Sequence, residues 1–115
     1  VLENLYYDFD KANIRPDAAL VLDKLVNAMR DNPTMKVELS SHTDSRGSDK
    51  YNMRLSDRRA KSALEYVVSR GIERSRIVAK GYGESRLINA CRNGVKCTAA
   101  EHQANRRTEV EVLAY

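Results

Sequence analysis

The alternation of apolar and polar residues along the 115-residue chain predicts β-strands separated by two long α-helices. The helices are marked by apolar residues at helical intervals over 16–31 and again up to Val68. Residues 84–105 lack a long period, which indicates an extended loop with one helical turn around 99–102. The predicted strands are 3–9, 36–40, 76–80 and 107–115.

Residues at the helix ends support this assignment. Pro16 suits the first position of a helix, and Asn32 follows the last residue of that helix. Ser48 or Asp49 can cap the second helix, and Gly71 is in the usual position for a left-handed terminus. The apolar positions predicted to face the core are Leu20, Leu22, Leu25, Val26 and Met29 in the first helix, and Met53, Leu55, Ala60, Ala63, Leu64, Val67 and Val68 in the second.

This order of elements predicts an α/β (α+β) two-layer sandwich, β-α-β-α-β-loop-β, in which the helices pack on one face of a mixed sheet. The length suits a single domain over residues 1–115. Right-handed crossovers would place the first two strand-to-helix junctions at the same edge of the sheet. Residues 9–10 would then lie near Asp44 and Arg59.

Charged side chains concentrate at the second strand-to-helix junction, a location where α/β sheets tend to bind ligands. Asp44 follows the strand, while Arg59 projects from the edge of the apolar face of the helix. Asn52 precedes Arg59 by nearly two turns and shares its side. A carboxylate and a guanidinium held together suit a zwitterion, because the acid takes an ammonium and the arginine takes a carboxylate. The spacing also allows Asp44 and Arg59 simply to pair with each other, and an arginine on an amphipathic helix is more often part of an ion pair than of a receptor.

Composition excludes several functional classes. The net charge of +4 is scattered among acids, whereas nucleic-acid modules concentrate positive charge, so no nucleic-acid partner is expected. The sequence contains no run of about eighteen apolar residues, so no membrane span is predicted. No signal peptide is visible either, so we expect a mature or excised fragment whose membrane attachment, if any, lies in other parts of the parent protein.

Enzymatic and metal sites are also disfavoured. Ser41, His42 and Asp44 contain triad chemistry, but Ser41 points away from the other two on one strand. Glu38 is too far from Asp44 along the strand for a glycosidase pair. A zinc site at Cys91, Cys97 and His102 lacks a convincing fourth ligand. We expect no catalysis, no cofactor and no metal.

Several short segments, in order along nearly the whole chain, together resemble the OmpA-like peptidoglycan-binding domain, a family that includes the Pal lipoproteins and the periplasmic part of MotB. They are Phe9-Asp10, His42-Thr43-Asp44, Arg46-Gly47, Tyr51-Asn52, Leu55-Ser56, Arg58-Arg59-Ala60, Gly81-Tyr82-Gly83-Glu84 and Asn105-Arg106-Arg107. One departure is Ser41, where the family often has glycine.

The resemblance implies non-covalent binding of peptidoglycan through the diaminopimelate residue of its stem peptide. Asp44 would hold the free ammonium and Arg59 the free carboxylate. Arg106 would lie at the rim of the pocket. The residues that would line or support the pocket are Phe9, Asp10, Thr43, Arg46, Asn52 and Leu55.

The same resemblance implies a periplasmic domain that anchors an outer-membrane-associated protein to the cell wall. Two alternatives stay open: a structural or protein-interaction domain that has lost the ligand, and a stator-type cell-wall anchor. In an extracytoplasmic protein, Cys91 and Cys97 are expected to form a disulfide. Two titrating thiols in the unreduced protein would contradict that bridge.

Overall fold

A computed structural model describes residues 4–7, 12–46, 48–83, 85 and 96–115. Within these ranges the chain forms a four-stranded sheet, α-helices and one 3₁₀ turn at Arg74–Arg76. The strands are β1 (Leu5–Tyr6), β2 (Lys36–Ser41), β3 (Ile77–Gly81) and β4 (Arg107–Ala114), and the helices are α1 (Pro16–Asp31), α2 (Asp49–Ser69) and α3 (Ala99–Asn105). The predicted α+β architecture with a mixed sheet is confirmed.

The sheet has the strand order β1-β4-β2-β3. β2 and β3 are parallel, whereas β4 is antiparallel to both β1 and β2. β1 and β2 therefore run in the same direction, and their carboxyl ends meet at one edge of the sheet. This edge carries the candidate site.

The core lies between the sheet and helices α1 and α2, which contact each other. Helix α1 begins at Pro16 as predicted, and α2 begins behind Ser48, whose side chain accepts a hydrogen bond from the backbone N–H of Tyr51 at 3.1 Å. Gly71 follows α2 with φ +99°, a conformation that few other residues adopt without strain. No helix in the described part of the chain is long and apolar enough to cross a membrane.

Two predicted core positions are wrong. Leu20 of α1 is 67% exposed and Met53 of α2 is 42% exposed. Each lies two residues before a buried leucine, Leu22 or Leu55, and positions two apart on a helix differ by about 200°, so both members cannot face the core. In α1, Ala18 and Val21 complete the buried stripe instead.

The element boundaries differ in three places. The described part of the first strand is Leu5–Tyr6, within the predicted 3–9. β3 begins at Ile77 because the 3₁₀ turn precedes it. The predicted helical turn after residue 98 extends to seven residues, opened by a capping box between Thr98 and Glu101. Phe9, Asp10, Gly47 and Cys91 lie outside the described residues, so predictions about them remain predictions.

The carboxyl end of β3 fits closely against α2. Gly81 donates its backbone N–H to the Asp57 carboxylate at 3.1 Å. A Cβ at this position would lie 2.4 Å from the Ser56 hydroxyl oxygen, so a larger residue would push the strand off the helix. This contact places the Tyr82–Gly83 turn beside the β2–α2 junction.

Candidate functional site

The chain between β2 and α2 is buried although it carries polar residues. His42, Thr43, Asp44 and Ser45 are all less than 10% exposed. Neighbouring backbone holds the segment: the His42 N–H donates to the Arg107 carbonyl and the Thr43 N–H to the Gly83 carbonyl, both at 2.8 Å. Tertiary packing therefore buries this polar junction away from solvent.

Asp44 is the centre of a cluster of positive charge. Its Oδ1 accepts from the backbone N–H of Arg46 at 3.0 Å. Its Oδ2 accepts from the Arg46 guanidinium at 2.8 Å and from the Arg106 guanidinium at 2.9 Å. Burial alone would raise the pKa of Asp44, but the hydrogen bonds from the two arginines outweigh it, so the pKa of this carboxyl lies below its ordinary value.

Arg106 connects several elements of the fold. Its side chain is 9% exposed, and besides Asp44 it donates from Nε to the Tyr7 carbonyl at 3.1 Å and from Nη2 to Gln103 Oε1 at 2.8 Å. One guanidinium thus joins the end of β1, helix α3 and the β2–α2 junction. The predicted role of Arg106 at the rim of a ligand pocket stays a prediction.

Arg59 is fully buried, whereas its helical register predicts only a position at the edge of the apolar face. Its Nη1 donates to the His42 carbonyl at 3.3 Å, and its guanidinium lies 5.0 Å from the centre of the Tyr7 ring, a cation–π distance. The Tyr7 hydroxyl in turn donates to the Arg59 carbonyl at 3.2 Å. Burial lowers the pKa of Arg59 to about 10, and electrostatic interactions with Tyr7 and Asp44 partly offset this effect.

The ion pairs of Asp44 address the alternative that Asp44 and Arg59 simply pair with each other. The ion pairs described for Asp44 are with Arg46 and Arg106. Arg59 and Asp44 interact electrostatically across the same junction, since the carboxylate opposes the lowering of the arginine's pKa. Opposite charges therefore share one buried region, while the acid's direct partners are other arginines.

Three other residues predicted to line or support the pocket, Asn52, Leu55 and Thr43, are buried. Asn52 is buried, and its Nδ2 donates to the Asp44 carbonyl at 3.3 Å. Leu55 is buried on the same helix, one turn before Arg59. The Thr43 hydroxyl is buried and has no hydrogen-bond partner in the described part of the chain. Such a group costs free energy unless a ligand or water satisfies it.

The side chains of His42 and Ser41, at the end of β2, have different neighbours. Its ring stacks on Tyr82, with centroids 5.3 Å apart and planes inclined by 12°, and its Nε2 lies 3.8 Å from Glu109 Oε1. The Ser41 hydroxyl instead hydrogen bonds with Thr108 at 2.6 Å. The two side chains point in opposite directions, which agrees with the argument against a catalytic triad.

Sequence reasoning missed two residues of the site. Tyr7 supplies the ring beneath Arg59, and Gln103 holds Arg106. Alternation in the first strand puts Tyr7 on the same side as Leu5, facing inward, which is a usable signal. The sequence contains no such signal for Gln103, because it lies in the stretch without a clear period.

The cysteine prediction stays a prediction. Cys97 is half-buried just before α3, and Cys91 lies outside the described residues. His102, the third ligand of the disfavoured zinc site, is buried in α3 with 7% exposure.

The shifted pKa of Asp44 predicts how stability depends on pH. Because this pKa is lower in the folded protein than in the unfolded chain, the carboxylate stabilises the fold above the unfolded pKa, about 3.9, and that contribution is lost as pH falls through the folded pKa. We therefore expect the difference in unfolding free energy between wild type and Asp44→Asn to be largest at neutral pH and to shrink in acid. Urea denaturation from neutral pH to about pH 3 measures this. A difference that does not change with pH would contradict it.

The strand order and the buried charged junction define an α+β domain with a polar site where the second strand meets its helix. Comparison with known proteins identifies the family. The chain belongs to the OmpA family, whose model matches residues 6–101.

Individual relatives agree with this assignment. The chain is 40% identical over 108 residues to outer membrane porin F of Pseudomonas fluorescens, covering 94% of this chain and 32% of that protein. It superposes on the peptidoglycan-associated lipoprotein of Burkholderia pseudomallei with a TM-score of 0.86 and 20% identity, over 95% of this chain and 88% of the other. The cell wall anchor of the type VI secretion system (T6SS) of Pseudomonas aeruginosa gives a TM-score of 0.76 and 22% identity, over 96% and 76%. These two structures support the fold, and the chain spans about a third of the porin.

Proposed function

We propose that this domain binds peptidoglycan non-covalently, through the free ammonium and carboxylate of diaminopimelate in the stem peptide. It is a binding module rather than an enzyme, and it anchors an outer-membrane-associated protein to the cell wall from the periplasm. Asp44 takes the ammonium and Arg59 takes the carboxylate. The observation that carries the proposal is the complete burial of the Arg59 guanidinium in the same junction as the buried Asp44 carboxylate.

The energetics of Arg59 favour a receptor role. Burial of a guanidinium costs free energy, as its lowered pKa reflects. The contacts described for the guanidinium include the His42 carbonyl and the face of the Tyr7 ring. A ligand carboxylate would supply a full opposite charge in a bidentate geometry.

The chemistry around Asp44 suits the other end of such a ligand. The carboxylate is oriented by the Arg46 N–H, and the Asn52 amide holds its backbone carbonyl. The adjacent Thr43 hydroxyl is buried and can hydrogen bond to a ligand. A site that requires both charges would discriminate against lysine-type stem peptides, whose side chain carries an ammonium without the neighbouring carboxylate.

The relatives support the cell-wall assignment. Two proteins with this fold are a peptidoglycan-associated lipoprotein and a cell wall anchor, and a sequence relative is an outer membrane porin. We extend that role to this chain on the basis of the family and the charged site.

Calorimetry with purified muropeptides tests the proposal. We expect heat of binding with a diaminopimelate-containing muropeptide and affinity lower by about tenfold or more for the lysine-containing equivalent, because that ligand lacks the carboxylate proposed to bind Arg59. The two ligands form a matched pair that differs by one carboxylate. Equal affinity for both would refute the assignment of Arg59.

The structure also favours a second candidate, a domain that keeps the fold and mediates assembly of an envelope complex without this ligand. The Asp44 carboxylate already has two guanidinium partners, as expected of a purely structural acid. Absence of binding to either muropeptide, together with failure to sediment with purified sacculi, would favour this candidate.

A further inference from the structure

The two arginines on Asp44 are held in different ways. Arg106 is nearly buried and is also bonded to the Tyr7 carbonyl and to Gln103, so it cannot leave without breaking contacts between three elements. The Arg46 side chain is 38% exposed, and it reaches Asp44 from only two residues along the chain. One guanidinium is therefore fixed by the fold, and the other lies at the solvent side.

The binding of an ammonium would disturb this arrangement. Oδ2 of Asp44 accepts from both guanidinium groups, and Oδ1 accepts from the Arg46 backbone N–H. A ligand ammonium would add a third cation to one carboxylate in a partly desolvated site, where like charges repel more strongly than in water. The exposed guanidinium can recover its hydration by moving into solvent, whereas the buried one cannot.

We propose that the Arg46 side chain occupies the ammonium position of the free site and leaves Asp44 when the ligand binds. This inference rests on the proposed function. Only the side chain moves: the Arg46 backbone N–H stays on Oδ1 and Arg106 stays on Oδ2, so the carboxylate keeps its orientation. Arg46 then limits affinity by competition, in contrast to the supporting role that the family resemblance implies.

The test is calorimetry on Arg46→Gln with the diaminopimelate-containing muropeptide. We expect binding about two- to fivefold tighter than wild type, the range that corresponds to losing one partly exposed ion pair. A muropeptide whose free diaminopimelate amine is acetylated cannot replace Arg46, and it should bind wild type and variant equally weakly. Arg54→Gln, which removes one exposed positive charge from α2, is the matched control and should leave both affinities unchanged.

A second measurement does not depend on the ligand. The pKa of Asp44, followed by NMR through its carboxyl carbon, should be higher in Arg46→Gln than in wild type because one stabilising partner is lost. An unchanged pKa would overturn the inference. So would equal or weaker binding by the variant when wild type binds. Failure of wild type and variant alike to bind would refute the proposed function, and this inference with it.

Discussion

Arg59→Met is expected to weaken binding of a diaminopimelate-containing muropeptide by about 100-fold or more, because the ligand carboxylate loses its buried charged partner. The free energy of unfolding should change much less, within roughly 1.5 kcal/mol, since methionine fills a similar apolar volume. Asp44 keeps its bonds to Arg46 and Arg106 in this variant. Calorimetry and urea denaturation on the same preparation measure the two effects.

Arg58→Met is the matched control for this experiment. Arg58 is the preceding residue of α2 and is exposed on the solvated face. It undergoes the same change in charge and size, so its binding should match that of wild type. Retention of wild-type affinity by Arg59→Met would refute its role in binding, and loss of affinity in both variants would point to overall charge instead.

Arg106→Met is expected to have the largest effect on stability, a loss of roughly 3–5 kcal/mol. The substitution removes the bonds to Asp44, the Tyr7 carbonyl and Gln103 together, and it leaves buried acceptors unsatisfied. Urea denaturation measures the loss. Muropeptide binding, measured where the variant is still folded, should also weaken because Asp44 loses the partner that fixes its position.

Arg54→Met controls for removing an exposed arginine and should change the free energy of unfolding by less than about 0.5 kcal/mol. A similarly small change in Arg106→Met would contradict the description of Arg106 as a link between β1, α3 and the β2–α2 junction. The contrast between Arg59 and Arg106 is informative, because both are buried arginines near one acid. Only the second is expected to be indispensable for folding.

The helices, the strands and the polar site at the end of β2 follow from sequence pattern because they depend on local periodicity and on capping residues. Pro16 begins α1, the Ser48 side chain caps α2, and Gly71 follows α2 with positive φ, each as its residue type predicts. The spacing of Asn52 and Arg59 on α2 predicts that they share one side of the helix, and the structure adds that both are buried. Leu20 and Met53 show the limit of this reasoning. Apolar residues also occur on the exposed side of a helix, and apolar character alone does not distinguish them from core residues.

The partners of Asp44 could not be derived in this way. Arg106 is 62 residues away along the chain, and it reaches Asp44 because β4 lies between β1 and β2 in the sheet. Tyr7 lies beneath Arg59 because of the strand order as well. The ends of β1 and β2 share one edge of the sheet, so the residue after β1 meets the helix that follows β2. Such long-range neighbours depend on strand order, to which the local pattern of apolar residues is insensitive.

The sequence by itself determined the family resemblance, the elements, and the two charges proposed to receive the ligand, because these depend on local patterns and on short motifs in a fixed order along the chain. The tertiary structure decided which cation holds the acid, since ion pairs form between groups that folding brings together whatever their separation in sequence. It also decided that Arg106 is buried and Arg46 exposed, because burial depends on everything that packs around a side chain.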